Sequence, residues 1–300
     1  MRYRYGVQHD TRKNVAAIKL IRYRFKIMST NSLLYLHKKT ISSNEIRNDV
    51  DFLLELLFQE GSKQKRWEVY LNENDAAFED ENIHSHCSLL EYLAYREAVV
   101  EGLSEEKALL LMWTARFYKL GEMENGDILF NLKTKNDGGK KSNYVRKHIH
   151  SKLQSDYAKN MLEKVLAISL DKKNLLNENF DFVDFFDSLK RRGSINTALK
   201  MIQQKSILRW DVLAANVLFN QIVPLVEHGK KYRSVRVYLQ KNAKQISHAL
   251  ENHFTHEQLI RGFEKIYGQD NFEEKKKFLD ISPEKVLGIK NVWLNFVQEN

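Results

Sequence analysis

With one cysteine, two prolines and twelve glycines in 300 residues, the chain has few of the residues that staple or bend a backbone. A lone Cys87 rules out an internal disulfide framework and suits a reducing compartment. Proline far below the usual ~5%, together with sparse glycine, disfavours sandwiches, barrels and disordered linkers and favours long helices. There is no long apolar run either. The most apolar region, 207–226, is broken by Arg209, Asp211, Asn216, Asn220 and Gln221, so it reads as a buried core helix and no transmembrane segment is expected. The first residues hold no uninterrupted apolar stretch of signal-peptide length. A phosphate-binding glycine loop, a dinucleotide fingerprint and a Gly-x-Ser-x-Gly elbow are all missing, so the sequence implies no cofactor.

What is present begins with charge. Residues 1–27 hold eight cations (Arg2, Arg4, Arg12, Lys13, Lys19, Arg22, Arg24 and Lys26) against Asp10 alone, which is +7 of the formal +9. The rest of the chain is close to balance, with 40 bases and 38 acids. Cation usage also changes, from five Arg and three Lys before Met28 to 11 Arg and 29 Lys after it. This marks 1–27 as a basic extension expected to pack poorly against the body, and one alternative is that Met28 is the natural start. The Lys, Asn and Ile bias is that of proteins from AT-rich bacterial genomes.

The apolar fraction of 43% is enough for a substantial core. Helix punctuation then gives the architecture: predominantly all-α and multi-helix, with helical subdomains over 28–132 and 144–300. The polar, Gly-containing stretch 133–143 is the expected linker. Capping-box spacings at Ser42/Glu45, Ser88/Glu91 and Thr255/Gln258 propose helix starts, with Gly61, Gly102, Gly121, Gly193 and Gly268 as stops. Ser282-Pro283 opens the last helix. The centre of a helix beginning after Ser104, 109–115, is apolar nearly all round and must be covered on several sides. A small two-stranded β element joining 67–71 and 127–132 is also expected.

The strongest surface feature of the body is 228–250, which contains no acid. Read as one helix, it places Lys230, Arg233, Lys241 and Lys244 within roughly 80° of arc, opposite Val235, Leu239, Ile246 and Leu250. Such a row attracts a polyanion or an anionic membrane surface by Coulomb interaction and counterion release. An acidic patch at Glu73, Asp75, Glu79, Asp80 and Glu81 suits docking to a charged partner.

Two constellations carry possible chemistry. His84, His86 and Cys87 are the one close grouping of metal-ligand side chains, but no further Cys remains to complete a site, so no metal is expected. Arg146 and His150 resemble the Arg-plus-His pairing of HEPN ribonuclease modules. Their three intervening residues, against four to six in those modules, place the chain outside that pattern.

The leading expectation is therefore a non-catalytic helical interaction protein that binds a macromolecular partner, most readily a protein, through charged helix faces. One version is a bacterial effector-type protein, cytoplasmic or exported into a host cell without a classical signal peptide, with the apolar tail from Trp293 onward as signal or contact. Nucleic-acid binding through 228–250 is the alternative. An enzyme whose site no motif reveals is the third.

Overall fold

The computed structural model describes residues 43–64, 82–123, 137–173, 175, 180–203, 210–268, 272–273 and 280–299. Among the described residues there are eleven α-helices: α1 (Asn44–Gln59), α2 (Ile83–Val100), α3 (Glu105–Phe117), α4 (Asp137–His148), α5 (Asp156–Ser169), α6 (Phe182–Gln203), α7 (Trp210–Lys231), α8 (Arg233–Lys241), α9 (Ala243–Asn252), α10 (His256–Tyr267) and α11 (Pro283–Glu299). The protein is thus predominantly helical. No strand occurs among the described residues, and both segments expected to form a β ladder lie outside them. Residues 1–27 and the acidic patch at 73–81 lie outside them too.

Caps explain most of the boundaries. Ser104, Ser155 and Thr255 accept the Lys107, Ala158 and Gln258 amides and start α3, α5 and α10. Ser282 accepts the Lys285 amide at 3.1 Å ahead of Pro283, the first residue of α11. Gly102 follows α2 with φ +69° and Gly268 follows α10 with φ +74°, a backbone region that costs glycine little.

Several boundaries differ from the sequence reading. Ser43, one residue beyond the expected cap, accepts the Ile46 amide and opens α1. Asn82 and Ser85 form the reciprocal cap of α2, which leaves Ser88 inside the helix with its hydroxyl on the His84 carbonyl at 2.8 Å. Helix α6 runs through Gly193 without stopping. A Cβ at position 193 would meet Leu90 and His86 of α2 at ordinary contact distance, so the glycine lies on the buried side of α6 where it packs on α2. The stretch expected as a linker is helical from Asp137 onward, because Lys141 and Ser142 are buried beside the 3₁₀ turn Leu120–Glu122. Lys141 Nζ reaches Glu122 at 2.9 Å and Lys119 reaches the same carboxylate at 2.7 Å.

Helix α3 is the all-round apolar helix, and every residue from Ala108 to Phe117 is buried. It packs against α2 and α5, while α6 contacts α2, α3, α5, α7 and α9. Helix α7 carries α8, α10 and α11 on its other sides. One connected core runs from Val50 to Phe296 through these helices. Two polar links tie distant segments together. The Asp49 carboxylate of α1 accepts from the Ser155 amide (2.7 Å) and hydroxyl (2.6 Å) and from the Gln154 amide (2.9 Å). In the interior, Glu97 of α2 accepts from Arg192 of α6 at 3.0 Å, and the Arg192 guanidinium lies 4.5 Å from the Tyr238 ring centre of α8.

Candidate interaction surface

The expected cationic helix is three elements. The chain leaves α7 at Tyr232 (φ −112°, ψ 123°) and α8 at Asn242 (φ −103°, ψ 8°). Lys230 therefore ends α7, Arg233 and Lys241 share α8, and Lys244 belongs to α9, so a single 80° arc does not describe the four. The inside of the pattern is as read: Val235, Leu239, Ile246 and Leu250 are all buried. All four cations are exposed. Lys230 pairs with Glu227 at 2.8 Å, whereas Arg233, Lys241 and Lys244 have no ion pair among the described residues.

A second surface was not anticipated. The solvent side of α2 consists of Tyr92, Tyr95, Arg96, Val99 and Val100, which span about 140° of arc at 100° per residue. Four of these five are large and apolar, and Val99 is 59% exposed. The flanks of α2 are occupied. Glu91 faces Arg116 of α3 (3.6 Å), and Glu97 faces Arg192 on the side of α6 and α8. Arg96 folds back on Glu97 at 2.7 Å. At the end of the helix, Glu101 accepts the Ser234 amide at 2.5 Å and so holds the first turn of α8.

The third surface is the outer side of α11. Val286, Ile289, Trp293 and Phe296 are buried, and the Trp293 indole donates to Ser247 of α9 at 2.9 Å. Leu287, Leu294 and Val297 point outward, with Leu287 58% exposed. The tail is thus half anchor and half exposed stripe. Of the eight large apolar side chains exposed among the described residues, seven lie on α2 and α11; the eighth is Phe58.

The chemical candidates are positioned as structural groups. His84 and His86 occupy the first turn of α2, where a two-residue offset turns them about 160° apart. His84 lies edge-on to Phe58, His86 is buried with its Nε2 2.6 Å from the Tyr118 hydroxyl, and Cys87 is buried. Among the described residues no group of His, Cys, Asp and Glu is arranged to hold a metal. Arg146 and His150 do meet, on Glu163. Arg146 Nη2 is 3.0 Å from Glu163 and 2.9 Å from Asp171, its Nη1 donates to Ser142 at 2.6 Å, and His150 Nε2 is 3.8 Å from Glu163. Hydrogen bonds to Glu163 and Asp171 raise the Arg146 pKa. A guanidinium held this way clamps α4 to α5 and has little capacity left for a phosphate.

One ionic cluster had no sequence signal. His228 of α7 sits between two α6 carboxylates, Nδ1 3.5 Å from Asp184 and Nε2 3.6 Å from Asp187. Asp184 also accepts from Lys231 (3.1 Å) and the Tyr232 hydroxyl (3.0 Å), and Asp187 from Arg191 (2.6 Å) and Lys190 (3.0 Å). Burial pushes both carboxyls up, but these partners outweigh it and hold both below the usual aspartate value, Asp187 far below. A depressed folded-state pKa contributes stability that is present above the unfolded value near ~3.9 and is lost as pH falls through the folded one. Asp187→Asn should therefore lower Tm at pH 7, and the gap from wild type should narrow as pH drops below about 4. Thermal melts between pH 7 and pH 2 check this, and a gap independent of pH would contradict it.

No protein-family model, curated protein or solved structure matches this chain. Among the described residues the protein is predominantly helical and presents two exposed apolar helix faces. No described helix is long and apolar enough to cross a membrane.

Proposed function

We propose that this is a non-catalytic interaction protein that binds a protein partner through the outer face of α2. The observation that carries the reading is the composition of that face: two tyrosines, two valines and one arginine, with no acid. Contiguous exposed apolar area on a folded protein marks an interaction site, and Tyr and Arg are enriched where binding energy concentrates.

Nucleic-acid binding is the second reading, favoured by Arg233, Lys241 and Lys244, which are exposed and have no ion pair among the described residues, in a stretch free of acids. Tyr92 and Tyr95 belong to α2, whereas Lys241 ends α8 and Lys244 lies in α9, so the stacking rings and the cations come from different helices.

Site-specific photocrosslinking separates the two. A photoreactive side chain at position 99 is expected to give discrete protein adducts in cells that express the protein, and one at position 156, exposed at the start of α5, is expected to give none. Nucleic-acid adducts at position 241 with none at 99 would replace the first reading by the second. The same adduct pattern at 99 and 156 would remove the α2 face from consideration.

A further inference from the structure

We infer that the outer face of α8, continued by Lys244, holds the phosphate backbone of a double-stranded nucleic acid without reading its sequence. The inference rests on the nucleic-acid reading, to which it gives a face and a ligand class, and it is independent of α2.

Helix α8 buries Ser234, Val235, Tyr238 and Leu239. Its outer side consists of exposed Arg233, Gln240 and Lys241 and half-buried Arg236 and Val237. At 100° per residue these five span about 140° of arc, and Arg233 to Lys241 extends about 12 Å along the axis. Three of the five are cations and none is an acid. Lys244 follows on the first turn of α9. The four cations have no ion pair among the described residues. In this they differ from most arginines of the protein. Of the nine described, six are held by a carboxylate, and two of the other three stand together on this face.

The helix that carries them is firmly seated. Glu101 of α2 accepts the Ser234 amide, and the Tyr238 hydroxyl donates to Asn196 of α6 at 2.7 Å. On the α7 side, a Cβ at Gly229 would meet Leu239 Cδ1 at 2.9 Å and the Arg236 Cα at 3.8 Å, so the missing side chain lets α8 approach closely. A helix held from three sides presents its charges at fixed spacing, which lowers the ordering cost of binding.

What the face lacks selects its ligand. Among the described residues, no large exposed apolar side chain lies on α8 or α9, so a protein partner finds no anchor there. Tyr232 and Tyr238 are buried and offer no ring for base stacking. Repeated positive charge remains, and it engages the backbone and not the bases. A duplex carries one phosphate charge per about 1.7 Å of axis, or about seven over 12 Å, enough to engage all four cations. Acids bound the stretch at both ends. Glu227 pairs with Lys230 before α8 begins, and exposed Glu251 stands two turns beyond Lys244 on the same side of α9. A single phosphate backbone can follow the stretch between them, whereas a broad anionic membrane surface also meets the acids.

Fluorescence anisotropy on the full chain, with duplexes of about 20 base pairs in DNA and RNA form, tests the inference. Two DNA duplexes of unrelated sequence should bind with the same affinity. The slope of log Kd against log salt should fall by about 0.9 for each phosphate contact removed from DNA. Arg236→Gln with Lys241→Gln should therefore lower it by about 1.8 relative to wild type, and Arg233→Gln with Lys244→Gln by the same amount. Reading differences cancels what residues 1–27 and other cations contribute. Arg47→Gln with Lys152→Gln removes the same charge from elsewhere on the surface and should leave the slope unchanged. None of the six side chains is buried, so melting curves should not move. A slope difference confined to RNA or to DNA supports the inference and names the source. Wild type that binds neither duplex, α8 variants with the wild-type slope, or a control pair that lowers it equally would each overturn the inference. Weaker binding of the α8 variants to phosphatidylserine vesicles, with duplex binding unchanged, would assign the face to membranes and overturn it too. Val99→Asp should bind duplex as wild type does. Protein adducts from position 99 alongside a negative duplex result would leave the α2 reading standing.

Discussion

Glu97→Ala should be among the most damaging single changes on the molecule, costing about 3–5 kcal/mol because it strands a buried charge. Arg192 is 1% exposed, and Glu97 is the one carboxylate it pairs with among the described residues. Burial pushes the Glu97 pKa up, yet hydrogen bonds and charge from Arg192 and Arg96 bring it below the ordinary value, so the carboxylate is ionised at neutral pH. Without it, Arg192 keeps the Tyr238 ring but no counter-charge. A fall in Tm of roughly 10 °C should follow. Glu97→Met combined with Arg192→Met should recover most of the loss, because two apolar side chains replace a buried pair at little net cost. Arg96 does not obstruct this recovery, since its side chain is 51% exposed and can return to water. A neutral Glu97→Ala variant, or a double variant no better than the single, would show that the pair does not bind α2 to α6.

The second large effect is expected at Asp49, which acts over a long stretch of sequence. Its carboxylate accepts from two backbone amides and the Ser155 hydroxyl at the start of α5, and Ser155 in turn accepts the Ala158 amide at 3.3 Å. Asp49→Ala leaves the buried Ser155 amide and the half-buried Gln154 amide without this acceptor and frees the capping serine. At about 1–3 kcal/mol for each unsatisfied donor, the loss should reach about 3 kcal/mol. Hydrogen exchange should show it as faster exchange at residues 154–158 and along α1. Asp49→Asn keeps one acceptor oxygen and should fall between the two. Unchanged protection at these amides would contradict the assignment.

Both residues indicate what the sequence could and could not reveal. Helix content was legible because periodicity and caps are local. Ser104, Thr255 and Ser282 begin helices as the spacing requires, and the burial of 109–115 follows from a helix centre that is apolar nearly all round. Asp49 and Ser155 are far apart in sequence, so no local pattern joins them. Gly193 has the local look of a stop, yet it is buried within α6 and the helix continues through it. The cationic residues were legible individually, but their common arc was not. That arc assumed one helix, and Tyr232 and Asn242 each turn the chain. The α2 face escaped notice for a related reason. A helix apolar on every side reads as buried, which describes α3; nothing local shows that Tyr92, Tyr95 and Val99 are left without a covering helix.

The sole thiol offers a practical consequence. Cys87 lies at 0% exposure near the N-terminal end of α2 on its inner side, so thiol reagents reach it only when that helix opens. Its labelling rate is a clock for local unfolding, read against a background of no competing cysteines. Fluorophores can then be attached at newly introduced surface cysteines while the native one stays silent, giving distance measurements across the helical body.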